Sequence, residues 1–285
     1  MVKEWQISGK LCMITGANSG IGKATAIGLA GLGARVVMVC RNKEKGEAAL
    51  DEVIAKSGNE SVELMLAELS SKKAIRRLAD DYRKKHKELH VLINNAGALN
   101  SKRVETMDGL EMTFAVNHLA YFLLTNLLLD VLKLSAPARV INVSSNVHHQ
   151  GVINFDDLQA KFRYNGTAAY NQSKLANVLF TYELARRLIG TGVTANCLHP
   201  GVVRTNFGME ATGFTAFMIR LMHPFFLSQE KGAEPLIYLA STPETFNGKY
   251  FSRKKEERSS EASYDEQDAK RLWEVSAELT NLGKA

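Results

Sequence analysis

A tyrosine and a lysine stand four residues apart in GTAAYNQSKLANVLF, residues 166–180. On a helix, Tyr170 and Lys174 share one face, because residues at i and i+4 are neighbours there. An ammonium beside a phenol favours the phenolate, lowers the phenol pKa from its ordinary value near ~10 and makes it a general acid or base. A tyrosine can equally pack and a lysine solvate, and the spacing alone leaves both readings open.

Other residues have the chemistry to hold an anion. TGANSGIG, residues 15–22, joins an apolar run to a stretch of helical spacing. Gly16, Gly20 and Gly22 would let the chain turn tightly and bring its backbone near a phosphate. The free N–H groups and dipole of the following helix favour negative charge. The spacing is Gly-x3-Gly-x-Gly, not the commoner Gly-x-Gly-x-x-Gly. At the end of the second apolar run, RVVMVCRN, an Asp or Glu would accept the 2′-hydroxyl of NAD. No acid is there. Cys40 ends the run and Arg41 follows, and an arginine fork suits the 2′-phosphate of NADP. NADP(H) is therefore expected in preference to NAD(H).

No metal site is expected. His148 and His149 stand together and His199 precedes Pro200, but no third ligand clusters with them, so structural or pocket-edge roles are expected. Cys12, Cys40 and Cys197 lie in or at the ends of apolar runs. So sparse and odd a set argues against a disulfide framework and for a reducing compartment.

The elements that must position these residues alternate along the chain. KLCMIT, RVVMVC, SVELMLAEL, LHVLIN, ARVINVS and VTANCLH read as strands. Between them lie GIGKATAIGLAGLGA, a helix capped by Asn42 and ended by Gly58, and a helix opened by serine at SSKKAIRRLADDYRKKH. A long helix from about Thr106 to Leu134 and another from near Thr167 follow. Strands apolar on both faces, alternating with amphipathic helices, predict a parallel, doubly wound α/β sheet. No linker or repeat divides the 285 residues, so one domain over 1–285 is expected. Residues 148–166 and 202–232 interrupt the alternation, as functional loops or lids do.

Hydrophobic residues make up 45% of the chain and charged residues 23%, with net charge +6. That charge suits an anionic cofactor, nucleic acid or an acidic membrane surface. Because the charges are mixed, as in DDYRKKHKELH, they read as solvated helix faces and no nucleic-acid partner is expected. The N-terminus, MVKEWQISGKLCMITGA, has no secretory core and no apolar run of ~20 residues, so a soluble cytoplasmic protein is expected.

In this order along the chain, TGANSGIG, NNAG (94–97), Asn117 in FAVNHLA, NVSS (142–145), YNQSK (170–174) and HPG (199–201) resemble the short-chain dehydrogenase/reductase family. The resemblance spans nearly the whole chain and implies a single Rossmann-like domain. It implies that Tyr170 exchanges a proton with a carbonyl or alcohol oxygen while Lys174 tunes it and holds the nicotinamide ribose. Ser145, rather than Ser144, would hydrogen-bond the same oxygen, and Asn117 would support a water chain to Lys174. Asn18, Ser19 and Ile21 would join the glycines around the cofactor. Glu68, Leu69, Asn94, Ala96 and Gly97 would line its adenosine side, with Glu68 where many relatives have Asp. Pro200, Gly201, Val203 and Thr205 would lie beside the nicotinamide.

The interval between Ser145 and Tyr170 is long for the family, the excess being NFDDLQAKFRYNG. With CRN, YNQSKLANVLF and GKYF, this resembles the retinol dehydrogenase branch, which implies a lipophilic aldehyde, ketone or alcohol as partner. Many such relatives carry an N-terminal membrane anchor, which this chain is read as lacking. Phe214, Phe217, Met218, Leu221 and Met222 recur at helical spacing in GFTAFMIRLMHPFFL. A core helix, a lid over an apolar substrate and a shallow membrane contact helped by Arg220 all fit; the lid, with Phe214, Phe217 and Met218 on the substrate, is the expectation. Family members often pair through the helices that here carry FLLTNLLLDVL and KLANVLFTYELARRL, which leaves a homodimer open. Two alternatives remain: reduction of a ring double bond, as in protochlorophyllide reductases, whose usual pocket cysteine has no evident candidate here, and a non-catalytic NADP-binding sensor.

Overall fold

The computed structural model describes residues 5–202 and 227–283. Among them, eight strands form one sheet in the order β3-β2-β1-β4-β5-β6-β7-β8. They are β1 (Leu11–Thr15), β2 (Arg35–Cys40), β3 (Val62–Leu66), β4 (Val91–Asn94), β5 (Ala138–Val143), β6 (Val193–His199), β7 (Tyr250–Ser252) and β8 (Lys255–Glu256). All pairings are parallel except that of β7 with β8. This is the expected Rossmann-like α/β fold. The order reverses between β1 and β4, the crevice where such sheets bind ligands.

One face of the sheet carries α1 (Gly20–Gly31), α2 (Lys43–Ser57) and α8 (Gln229–Ser241). The other carries α3 (Lys72–Lys85), α5 (Ala120–Leu127) and α7 (Gly166–Arg187). Successive strand residues point to opposite faces. In β1, Leu11 and Met13 enter the second layer, whereas Cys12 and Ile14 enter the first. The helix ends are specified locally. Asn42 Oδ1 accepts from Lys45 N at 2.8 Å and Ser71 Oγ from Ala74 N at 3.3 Å, while Gly58 closes α2 at φ +68°. No helix among the described residues is long and apolar enough to cross a membrane.

The helix expected from Thr106 begins instead at α4 (Met112–Phe114). Thr106 Oγ1 accepts from Asp108 N and Leu110 N, and Glu111 turns its carboxylate back onto Thr113 N (2.8 Å) and Phe114 N (2.7 Å). The Thr106 bonds compete with helix, whereas the Glu111 carboxylate caps the start of α4. A π-helical turn, Ala115–Leu119, connects α4 to α5, and α6 (Leu129–Leu134) follows. The second expected interruption also closes early, because Ser228 caps α8, a helix with Pro235 inside it.

A final helix, α9 (Glu266–Thr280), lies across α5 and α7. Trp273 meets the rings of Phe122 and Phe180 at 5.0 and 5.7 Å, and Ala269 and Leu272 pack with Leu175, Ala176 and Leu179. On the two helices considered for a homodimer, α9 thus packs over Phe122, Phe180, Leu175, Ala176 and Leu179.

Candidate active site

The glycine turn comes first. Gly16 and Gly20 have φ +68° and +56°, a region favourable to glycine. A Cβ on Gly22 would stand 2.3 Å from Gly16 O and 2.6 Å from Asn95 Nδ2. Only glycine fits there. The turn is tied to the neighbouring strand: Asn95 N donates to Thr15 Oγ1 at 2.8 Å and Asn95 Nδ2 to Thr15 O at 2.8 Å. Ser19 caps α1 by position but makes no side-chain capping bond, and the first turn of α1 holds no acid. Its N–H groups and dipole are thus left for an external anion. Asn18 and Ile21 are half-buried in the turn, and Ser19 is exposed.

Arg41 stands at the exit of β2 with its side chain 77% exposed and its guanidinium 3.6 Å from Glu68. Lys23 is drawn to Glu52 at 2.5 Å and Lys43 to Glu47 at 3.7 Å. Leu69 is buried beside Glu68. The glycine cradle, the uncapped helix start and this arginine fit a phosphorylated dinucleotide.

Asn94 is fully buried and holds the sheet, donating to Asn142 Oδ1 at 2.8 Å and Thr125 Oγ1 at 2.9 Å. Ala96 packs under Gly16, and its carbonyl accepts from Tyr121 at 2.8 Å, while Gly97 is exposed in the loop beyond. Asn117 lies in the π-helical turn. Its amide donates to Ala98 O and Ser173 Oγ, both at 2.9 Å, and accepts from Ala98 N at 2.7 Å. Both amide protons are therefore committed to fixing the loop after β4 against α7.

Ser144 and Ser145 leave β5 in opposite directions, as consecutive extended residues do. Ser144 is buried and donates to the carbonyl of Lys174 at 2.8 Å, whereas Ser145 hydrogen-bonds the Tyr170 phenol. Lys174 is 3% exposed; its Nζ donates to Val143 O at 3.1 Å and lies 5.4 Å from the Tyr170 ring centroid. Burial lowers the Lys174 pKa to about 7, so this amine exchanges its proton near neutrality. Burial raises the Tyr170 phenol above its ordinary value, and the Ser145 bond opposes the rise. Ser145 is thus the group that opposes the rise, while Lys174 donates to a backbone carbonyl.

Pro200 is buried, and Gly201 turns at φ +92° where a Cβ would meet Leu227 Cδ1 at 2.5 Å. Leu227 N donates to Val202 O at 2.8 Å. Val203, Thr205, Phe214, Phe217 and Met218, and with them the expected lid, lie outside the described residues.

The long interval before Tyr170 is anchored to the loop after β4. Tyr164 donates to Asn100 O at 2.9 Å, Arg103 Nε to Gln159 O at 3.0 Å and Glu111 N to Gln159 Oε1 at 2.7 Å. The insertion thus forms one wall beside the Tyr170 helix. Tyr121, Tyr164 and Ser173 escaped the sequence reading; Ser173 had a signal, standing between Tyr170 and Lys174. Cys12, Cys40 and Cys197 are buried, and burial lifts Cys12 and Cys197 to about 12, so neither offers a reactive thiolate. Among the described residues no group of three or more His, Cys, Asp and Glu side chains could hold a metal.

Known proteins resemble this chain in sequence and in fold. The family model for short chain dehydrogenase matches residues 10–214. Human retinol dehydrogenase 12 is 47% identical over 279 residues, covering 97% of this chain and 88% of that protein. A crystal structure of an uncharacterised protein from Mycobacterium paratuberculosis superposes with TM-score 0.81 at 35% identity, covering 98% and 96% of the two chains. The RhlG protein of Pseudomonas aeruginosa, in an active-site complex with NADP, superposes with TM-score 0.71 at 27% identity, covering 88% and 97%.

Proposed function

The chain belongs to the short-chain dehydrogenase family of oxidoreductases, and from this premise we propose that it interconverts a lipophilic aldehyde or ketone and its alcohol using NADP(H). The observation that carries the reading is the hydrogen bond between Ser145 and the Tyr170 phenol, beyond the carboxyl end of β5, with the buried Lys174 Nζ 5.4 Å from the Tyr170 ring centroid. The likeness to a retinol dehydrogenase supports a lipophilic substrate, and the likeness to RhlG with NADP supports the cofactor.

Gly16, Gly20 and Gly22 would hold the pyrophosphate against the start of α1, with Arg41 on the 2′-phosphate. When bound, the nicotinamide supplies or accepts the hydride. In reduction, the Tyr170 O–H bond breaks and its proton goes to the carbonyl oxygen, giving the alcohol. Ser145 donates a hydrogen bond to the same oxygen as negative charge grows on it. Lys174, with its pKa about 7, is placed to return a proton to the phenolate. Asn117 fixes the loop after β4 against α7. In oxidation each transfer reverses.

The test is an aliphatic aldehyde series from butanal to decanal, followed as NADPH absorbance disappears, with wild type and Tyr170→Phe. Turnover should grow more efficient with chain length, since each buried CH₂ contributes up to about 0.8 kcal/mol. Tyr170→Phe should lose about 10²–10⁴-fold while still binding NADPH. Turnover by Tyr170→Phe within a few-fold of wild type would sink the mechanism, and a flat dependence on chain length the lipophilic substrate.

A further inference from the structure

His148 lies outside the Tyr170, Lys174 and Ser145 triad, yet it is fully buried three residues beyond Ser145. Its Nδ1 stands 2.7 Å from the Ser145 carbonyl, and Ser260 N stands 3.1 Å from its Nε2. A backbone N–H only donates and a carbonyl only accepts, so both contacts demand one tautomer, neutral with the proton on Nδ1. The backbone N–H of His148 reaches the same Ser145 carbonyl at 3.0 Å. One residue thus grips the peptide that carries the Ser145 side chain through two donors.

The other end of the ring is held as firmly. Ser260 begins a short 3-10 turn, Glu261–Tyr264. Next to it, Ser259 Oγ lies 2.7 Å from Tyr182 Oη and 2.6 Å from Ser263 Oγ. Tyr182 belongs to α7, the helix that carries Tyr170 and Lys174. The Tyr250 ring at 4.7 Å and the His149 ring at 4.1 Å pack against the imidazole.

We propose that His148 is a positioning residue: it clamps the Ser145 peptide between β5 and the Ser259–Tyr264 turn, and so sets the Ser145 hydroxyl on the Tyr170 phenol. The inference rests on the reading of Ser145 and Tyr170 given above. A core histidine that merely fills space would satisfy its nitrogens anywhere, whereas this one closes a loop of polar contacts from Ser145 back to the helix bearing Tyr170. Burial holds its pKa down at about 4, so the neutral tautomer persists throughout the working range.

Two variants test it. His148→Phe keeps a ring between His149 and Tyr250 and removes both hydrogen bonds. Ser260→Pro removes the N–H that Nε2 accepts, and the backbone there, φ −62°, already suits proline. Each is expected to lower kcat for the best aldehyde of the series by about tenfold, part of the 10²–10³ that a lost transition-state donor costs. KM should move little.

The discriminating readout is the pH profile of alcohol oxidation, where phenolate is the active form. The Ser145 bond lowers the Tyr170 pKa, so loosening it moves that limb to higher pH. Among the described residues, Lys174 on the same helix, Tyr121 on α5 and His199 at the end of β6 are the other titratable groups nearby, and both variants leave them in place. Ser145→Ala should move the limb the same way, and His148→Phe should then add nothing. Nitrogen NMR of the wild type should show His148 protonated on Nδ1 and neutral well below pH 6.

An Nε2-protonated ring would overturn the proposal. So would folded His148→Phe or Ser260→Pro with an unmoved limb, or an equal further loss on the Ser145→Ala background. If His148→Phe does not fold, Ser260→Pro decides alone. Undiminished turnover by Ser145→Ala would instead remove the functional reading itself.

Discussion

The Lys174 ammonium lies 5.4 Å from the centroid of the Tyr170 ring and donates to the Val143 carbonyl, a bond that ties the helix bearing both residues to the end of β5. Its burial is what makes it useful and also what makes it expensive to keep. Burial lowers its pKa from 10.5 to about 7. Between those values the unfolded chain binds a proton that the folded chain does not, so this residue's contribution makes stability rise with pH. Below about pH 7 both states are protonated and the penalty is constant. Lys174→Met should therefore abolish turnover yet unfold at higher denaturant than wild type at pH 7. The gap should narrow as pH climbs towards 9.5. Urea melts across that range check it, and a widening gap would show that the Val143 bond outweighs the desolvation.

Ser144 and Ser145 are expected to separate stability from turnover. Ser144 is buried with its hydroxyl on the Lys174 carbonyl, so Ser144→Ala should cost about 1 kcal/mol in stability and little in turnover. Ser145→Ala should cost about 10²–10³ in kcat and little in stability. Steady-state kinetics beside thermal melts decide it, and the reverse pattern would reassign the serine.

This distinction was legible in the sequence only as a choice, because neither residue type nor spacing says which of two adjacent serines faces inward; the resemblance supplied the answer and the strand's alternation explains it. The sheet, the caps at Asn42 and Gly58 and the pairing of Tyr170 with Lys174 were legible because each depends on local pattern. The break at 106–111 was not, since it arises from Thr106 holding its own turn and Glu111 capping the helix only at Met112. The α8 start was hidden by Pro235. Asn117 was found, but its bonds to Ala98 and Ser173 depend on the π-helical turn, which no periodicity announces. His148 reads from the sequence only as a structural or pocket-edge residue, because its partner Ser260 lies far along the chain.

Cofactor choice should turn on Arg41. It is an exposed cation at the end of β2, and among the described residues only Glu68, at 3.6 Å, competes for it. Arg41→Asp places a carboxylate where a 2′-phosphate would sit and where a free 2′-hydroxyl would donate. NADPH affinity should fall about tenfold or more and NADH affinity should hold or improve. Fluorescence titration of both reduced cofactors reads this directly. An unchanged ratio would move the role to Lys23 or Lys43, both of which are already drawn to carboxylates.

The state of association should depend on α9. Trp273 packs edge-on to Phe122, lies near Phe180 and carries the Arg187 guanidinium over its ring at 4.2 Å. The helix is further tied down by Ser276 to His118 at 2.9 Å, and by Lys72 Nζ and Arg76 to the carbonyls of Leu279 and Thr280, both at 3.0 Å. With these contacts made, α5 and α7 offer little free apolar surface for a second copy, and the chain should run as a monomer in light scattering. Trp273→Ala is expected to cost about 2–4 kcal/mol, below the full loss for an entirely buried aromatic because Trp273 is only partly buried. Loosening α9 would then uncover Phe122 and Phe180. The variant should therefore associate in a concentration-dependent way that the wild type does not show. A wild-type dimer that persists in Trp273→Ala would place the contact on another surface.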